Sequence, residues 1–229
     1  MSEDIQTVEQ EAPTQAEETS EFNSLFNNDE APPEDATNLK LQARITETSD
    51  YNNFTDIDED TLEEFVQTRL RLKEMLPHAF NKLNLGTIKI MSASITLADV
   101  EVPFEDYSFV LYPALKATEA TMIQILRSLS ILIPRNTSLE SLFCLIDSSG
   151  DYTVKPGTRY YSLIPSEYRE PLSSLYNIMN HFRNQYFHPN RDPELVSYIS
   201  SREYALELLN QIYVVIDSTA DYLQEVNIA

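Results

Sequence analysis

From Thr61 onward the hydrophobic positions recur at helical spacing. Leu62, Phe65, Val66, Leu72 and Leu76 form one stripe, the signature of a half-buried helix. Thr61 and Glu64 make a capping box at its start. Pro77 is expected to bend this helix rather than end it, because Phe80 and Leu83 continue the period, and Gly86 is expected to stop it. Ile88-Lys89-Ile90 and Ile95-Thr96-Leu97 alternate or are β-branched, which predicts a short hairpin or strand pair. A second long helix is predicted from Tyr107 to Ile131. Its face carries Val110, Leu111, Ala114, Leu115, Thr118, Met122, Ile125, Leu126 and Leu129, with Pro113 near the start.

Ser138 to Ile146 reads as a short helix in preference to a strand. Asp147-Ser148-Ser149-Gly150 reads as a turn. Tyr152 to Pro156 reads as extended, since a residue before proline is pushed out of α geometry. A third long helix starts at Pro165 or Ser166. It carries Leu172, Leu175, Tyr176, Met179, Phe182 and Tyr186 on one face and ends at Phe187 or His188, before Pro189. A last helix opens with a capping box of Ser200 and Glu203. It buries Ala205, Leu208, Leu209, Ile212, Ile216, Ala220 and Leu223, and is expected to run to about Val226. The chain is therefore mainly α: a bundle of four or five helices with a small β insertion.

Residues 1–60 break this pattern. They hold 17 Asp and Glu against Lys40 and Arg44, a net −15 of the chain's −21. Low hydrophobicity with like charge predicts disorder, so residues 1–58 are read as an acidic tail and 59–229 as the folded domain. The body is left mildly acidic, which argues against a broad, non-specific DNA binder. Cys144 is the only cysteine, so neither an intrachain disulfide nor a thiolate cluster can form. The N-terminus lacks a signal-peptide pattern and no stretch approaches a membrane span; with the lone thiol this points to the cytoplasm. Three glycines in 229 residues leave no phosphate-cradling loop, and no cofactor and no metal site is expected.

The candidate chemistry lies at Phe182-Arg183-Asn184-Gln185-Tyr186-Phe187-His188-Pro189. On an ideal helix, residues five apart point roughly 140° from each other. A loosened last turn would bring His188 back toward the surface that Arg183 occupies. A permanent cation beside an imidazole is a minimal kit for cutting RNA: one holds phosphate, the other moves protons. Against this stands the frequency with which R-x4-H occurs by chance in unrelated helices. Lys116 and Glu119, on the less apolar side of the second long helix, are either a surface ion pair or a second half of the site. His78 and His181 read as surface or core-edge residues. Tyr160, Tyr161, Tyr186 and Phe187 read as core or dimer contacts in preference to base-stacking platforms.

Taken together, Arg183-Asn184-x-x-x-His188 before a helix end, followed by one more long helix, resembles the motif of HEPN ribonucleases. More closely, the body resembles the C-terminal, antitoxin-binding HEPN domain of RnlA-type toxins, the RNase LS family. Three stretches carry the likeness over roughly residues 60–226: Leu111-Tyr112-Pro113-x-Leu115-Lys116-x-x-Glu119, Tyr152-x-x-Lys155-Pro156, and Arg183-x4-His188. The resemblance implies metal-independent cleavage of messenger RNA, a homodimer, a protein antitoxin and a role in a toxin–antitoxin or phage-defence system. It places catalysis on Arg183, His188, Glu119 and Lys116, and substrate binding on Asn184 and Lys155. Lys116 departs from the family, where arginine is usual; lysine keeps the charge and loses the bidentate fork. The alternative is a catalytically silent HEPN module that binds a partner and scaffolds a complex.

Overall fold

The computed structural model describes residues 59–134, 136–146, 150–188 and 197–224, with side chains from Glu63. The acidic tail and the turn at 147–149 lie outside them. Helix α1 spans Glu59–Met75, α2 Leu85–Asp99, α3 Leu111–Ser128, α4 Arg159–Leu163, α5 Ser166–Tyr186 and α6 Arg202–Ser218. Strands β1, Phe143–Leu145, and β2, Tyr152–Val154, form an antiparallel pair with Cys144 opposite Thr153. The architecture is the expected helical bundle with a small β insertion, with six helices among the described residues rather than four or five.

The bundle is built round α3. Leu111, Ala114, Leu115, Ala117, Thr118, Thr121, Met122, Ile125 and Leu126 are buried on it, against α2, α5 and α6. Burial on so many sides leaves only a narrow polar stripe, where Tyr112, Lys116 and Glu119 are exposed. Thr118 and Thr121 donate their hydroxyls to the carbonyls of Ala114 and Ala117, which makes two polar side chains tolerable in the core. The helix ends with Ser130 at a φ of 59°. Ser130 N–H donates to Arg127 O and Ile131 N–H to Leu126 O, the paired bonds that close a helix through a left-handed residue.

The expected strand pair at 88–97 does not exist; that stretch is α2. Ile88, Met91, Ile95 and Ala98 are its buried residues, spaced three and four apart. The β-branched side chains invited the strand reading, but packing on α3 overrides a local preference. Gly86 does not stop a helix. It stands in the first turn of α2, just after the cap Asn84, whose Oδ1 accepts from Thr87 N and Oγ1. Gln124 of α3 secures that cap: its Oε1 accepts from Asn84, and its Nε2 donates to Lys82 O.

Pro77 ends α1 at Met75 instead of bending it, although hydrogen-bonded turns continue and keep Phe80 and Leu83 buried. Thr61 lies inside α1, which begins at Glu59, rather than capping it. Ser138–Ile146 is a 3-10 turn, Leu139–Leu142, leading into β1; an edge that pairs with Tyr152–Val154 outweighs a weak helical signal. The cap of α6 is Ser201, whose Oγ accepts from Tyr204 N, not Ser200. That helix stops at Ser218, followed by a 3-10 turn at Ala220–Tyr222 that buries Ala220.

Candidate functional site

The β hairpin seats on the middle of α5. Phe143 stacks on Tyr176 with centroids 4.1 Å apart, and Tyr152 meets the same ring edge-on at 5.2 Å. Asn177 acts as a surrogate strand: its Oδ1 accepts from Tyr152 N at 2.7 Å and its Nδ2 donates to Tyr152 O at 3.0 Å. Burial pushes the Tyr176 hydroxyl up to about 12, with Glu140 and Tyr152 adding to the rise and Arg183 opposing it. Arg183, seven residues on and hence on the same helical face, thus exerts its charge on the hairpin side of α5. Lys155 leaves the hairpin there; its N–H donates to Leu142 O and its side chain is exposed.

The last turn of α5 is loosened in the way the Arg183-to-His188 spacing requires. Arg183 O accepts from Phe187 N at 2.9 Å and from His188 N at 3.1 Å. The second is a five-residue return, wider than an α turn, and it keeps His188 attached to the turn that carries Arg183. The side chains of Arg183, Asn184 and His188 are all exposed. Among the described residues, the structure shows no ion pair or side-chain hydrogen bond for Arg183 or His188.

A ring contact connects this end to α3. Tyr112 lies 5.8 Å from Phe187, centroid to centroid, tilted by 59°. Phe187 is the residue before His188, and Tyr112 is one turn before Lys116, on the same helical face. The contact therefore sets the exposed stripe of α3 alongside the end of α5. It does not bring every candidate into touch. Among the described residues, Lys116 and Glu119 make no ion pair with each other or with Arg183 and His188; both stand in water. Tyr186 is fixed behind the turn. Burial first, then a hydrogen bond with Tyr204, push its hydroxyl up to about 12, against the opposing bond from Gln185.

The other histidines part company. His181 is exposed, its ring 5.1 Å from that of Phe182. His78 is part of a clamp with no signal in the local pattern. Its Nδ1 lies 2.8 Å from Asp217 Oδ2, while Asp217 Oδ1 accepts from His78 N and Ala79 N at 2.9 and 2.8 Å. Among the described residues no group of three His, Cys, Asp or Glu side chains gathers as metal ligands. No helix among them is long and apolar enough to cross a membrane.

The fold is a helical bundle with an inserted hairpin, and Arg183 and His188 are exposed at a helix end. The family model described as the RNase LS, bacterial toxin DBD domain matches residues 63–190, and the chain belongs to that family. Among solved structures it is similar to the Escherichia coli toxin LsoA, determined in complex with the T4 phage antitoxin Dmd. The identity is 21% and the TM-score 0.59, over 90% of this chain and 71% of that one. At that identity the likeness concerns the fold. Comparison with curated proteins gives no match.

Proposed function

We propose that this protein is a toxin that cleaves messenger RNA without a metal, acts in the cytoplasm as a homodimer, and is restrained by a protein antitoxin. The family and the antitoxin in the LsoA structure support the toxin setting, and the order of Arg183, Asn184 and His188 before a further long helix supports a HEPN-type site. The observation that carries the enzymatic reading is the end of α5, where Arg183 and His188 share one widened turn and are spent on no internal partner among the described residues.

The chemistry is an internal transesterification. The ribose 2′-oxygen attacks the adjacent phosphorus, its proton passes to a base, and the bond to the 5′-oxygen breaks as an acid protonates that oxygen. The products are a 2′,3′-cyclic phosphate and a 5′-hydroxyl. His188 serves as acid or base. Arg183 clamps the phosphate as negative charge builds on it, with Lys116 as a second cation and Lys155 at the hairpin side. Asn184 donates to phosphate or ribose. Glu119 orients a cation or complements His188 as base.

A second reading, a silent binding module, draws support from Lys116 and Glu119: neither touches the Arg183 turn, and the matched region bears the DBD label. Induced expression separates the two. Growth arrest and RNA cleavage by wild type, both lost in His188→Ala, support the enzyme; equal growth inhibition by both proteins selects the binding module.

A further inference from the structure

Tyr112 and Phe187 meet with ring centroids 5.8 Å apart. Tyr112 is 60% exposed because Leu111, Ala114 and Leu115 occupy the buried side of α3. It would be freer still if it did not lean on Phe187. Phe187 is itself only partly buried. It is held by its N–H bond to Arg183 O, and the next residue, His188, is held to the same carbonyl. Tyr112 on α3 and Phe187, the partly buried residue that follows α5, are thus held against each other, within one residue of His188 and one turn of Lys116.

We infer that Tyr112 and Phe187 form a base-stacking platform that makes the site select single-stranded RNA. The inference rests on the proposed ribonuclease reading and names its substrate class. A cation holding the backbone beside an aromatic face is the pairing by which proteins grip unpaired nucleotides, because every base has a π-face and only an unstacked base can present it. A phosphate on Arg183 would leave the neighbouring base within reach of the two rings, and cleavage chemistry needs that nucleotide splayed from a helix. A base already stacked in a duplex gains nothing from the platform. Helix α3 and the widened turn that ends α5 hold the rings before substrate arrives, so little ordering remains to be done on binding.

The test is fluorescence anisotropy of a short single-stranded oligoribonucleotide, and of the same sequence as a duplex, on the full chain carrying His188→Ala to prevent cleavage. Adding Tyr112→Ala or Tyr112→Leu is expected to weaken single-strand binding by on the order of 5- to 150-fold, while Tyr112→Phe binds unchanged. Leucine keeps apolar volume against Phe187 and removes the π-face, so a loss shared by both variants is a loss of stacking and not of folding. Binding that is unchanged in both variants, or weakened equally for the duplex, overturns the platform. So does a change in oligomeric state or antitoxin binding with RNA affinity intact, which would make the rings a protein interface. If wild type cleaves RNA in a His188-dependent way while the Tyr112 variants bind normally, only the platform falls. If wild type neither cleaves nor binds RNA, the ribonuclease reading falls with it.

Discussion

Two histidines stand beside prolines at helix ends, and the fold treats them in opposite ways. Pro77 follows α1 and leaves backbone amides without helical acceptors. Asp217 of α6 takes those of His78 and Ala79 on one oxygen and the imidazole on the other. The carboxylate is 14% exposed and the imidazole 76%, so the buried partner does the holding. Lys82 extends the corner by donating to Ala220 O at 3.0 Å. At the end of α5 the freed amides of Phe187 and His188 are both accepted by Arg183 O. The backbone satisfies itself there, and the side chains remain in water. A polar group wired into the fold contributes to stability; one the fold does not use is available to a ligand. His78 belongs to the first kind; His188, exposed and without a side-chain partner among the described residues, is proposed for the second.

The largest expected effect breaks the comparison directly. His188→Ala and Arg183→Ala should each lower RNA cleavage by about 10²-fold or more with melting temperature unchanged, while His78→Ala should cleave like wild type. Cleavage should also persist in EDTA. A His78→Ala protein that folds but does not cleave would reverse the assignment of the two histidines.

Asp217→Ala should act in the other currency. Removing an acceptor shared by two backbone amides and an imidazole is expected to destabilise the protein by about 2 kcal/mol, measured by urea denaturation. Asp217→Asn, which keeps one oxygen for the amides, should lose less. An Asp217→Ala protein as stable as wild type would show that water replaces the carboxylate at no cost.

Lys116 sharpens the functional side. If it is a second cation on the phosphate, Lys116→Ala should slow cleavage by about 10-fold and Lys116→Arg should hold or raise the rate, since guanidinium restores a bidentate grip. A neutral Lys116→Ala in steady-state kinetics would return Lys116 and Glu119 to the solvated face of α3.

The smallest effect concerns another wired carboxylate. Burial raises the Asp106 carboxyl, but hydrogen bonds from Ile199 N–H, Ser108 N–H and the Ser108 hydroxyl outweigh it and hold the group below the ordinary carboxylate range. A depressed folded pKa stabilises above the unfolded value, about 3.9. That contribution disappears as pH falls through the lower folded value. Wild type should therefore lose a small increment of stability on acidification below about pH 4 that Asp106→Asn does not lose. Parallel stability curves for the two proteins would remove Asp106 from the set of wired groups.

The long helices α3, α5 and α6 were legible in the residues alone, and the end of α5, expected at Phe187 or His188, falls at Tyr186 with Phe187 as its cap. Each buries one continuous face, so a stripe at three- and four-residue spacing records the burial directly. Pro189 argued for a helix end at Phe187 or His188, because a proline disfavours α geometry in its predecessor; the widened turn there was one arrangement the Arg183-to-His188 spacing allowed. Short or crowded segments were not legible. The strand-like composition of α2 gave way to its packing on α3, and Ser138–Ile146 became a strand edge only because Tyr152–Val154 and Asn177 were there to pair with it. The cap of α6 moved by one residue, from Ser200 to Ser201, since two adjacent serines are equivalent until the helix has docked. The two contacts that now distinguish the histidines, Asp217 on His78 and Tyr112 on Phe187, join residues 139 and 75 positions apart. No local period encodes such pairs; they exist because α6 and α3 are fixed by burial elsewhere along their lengths, and the side chains at those crossings meet as a consequence.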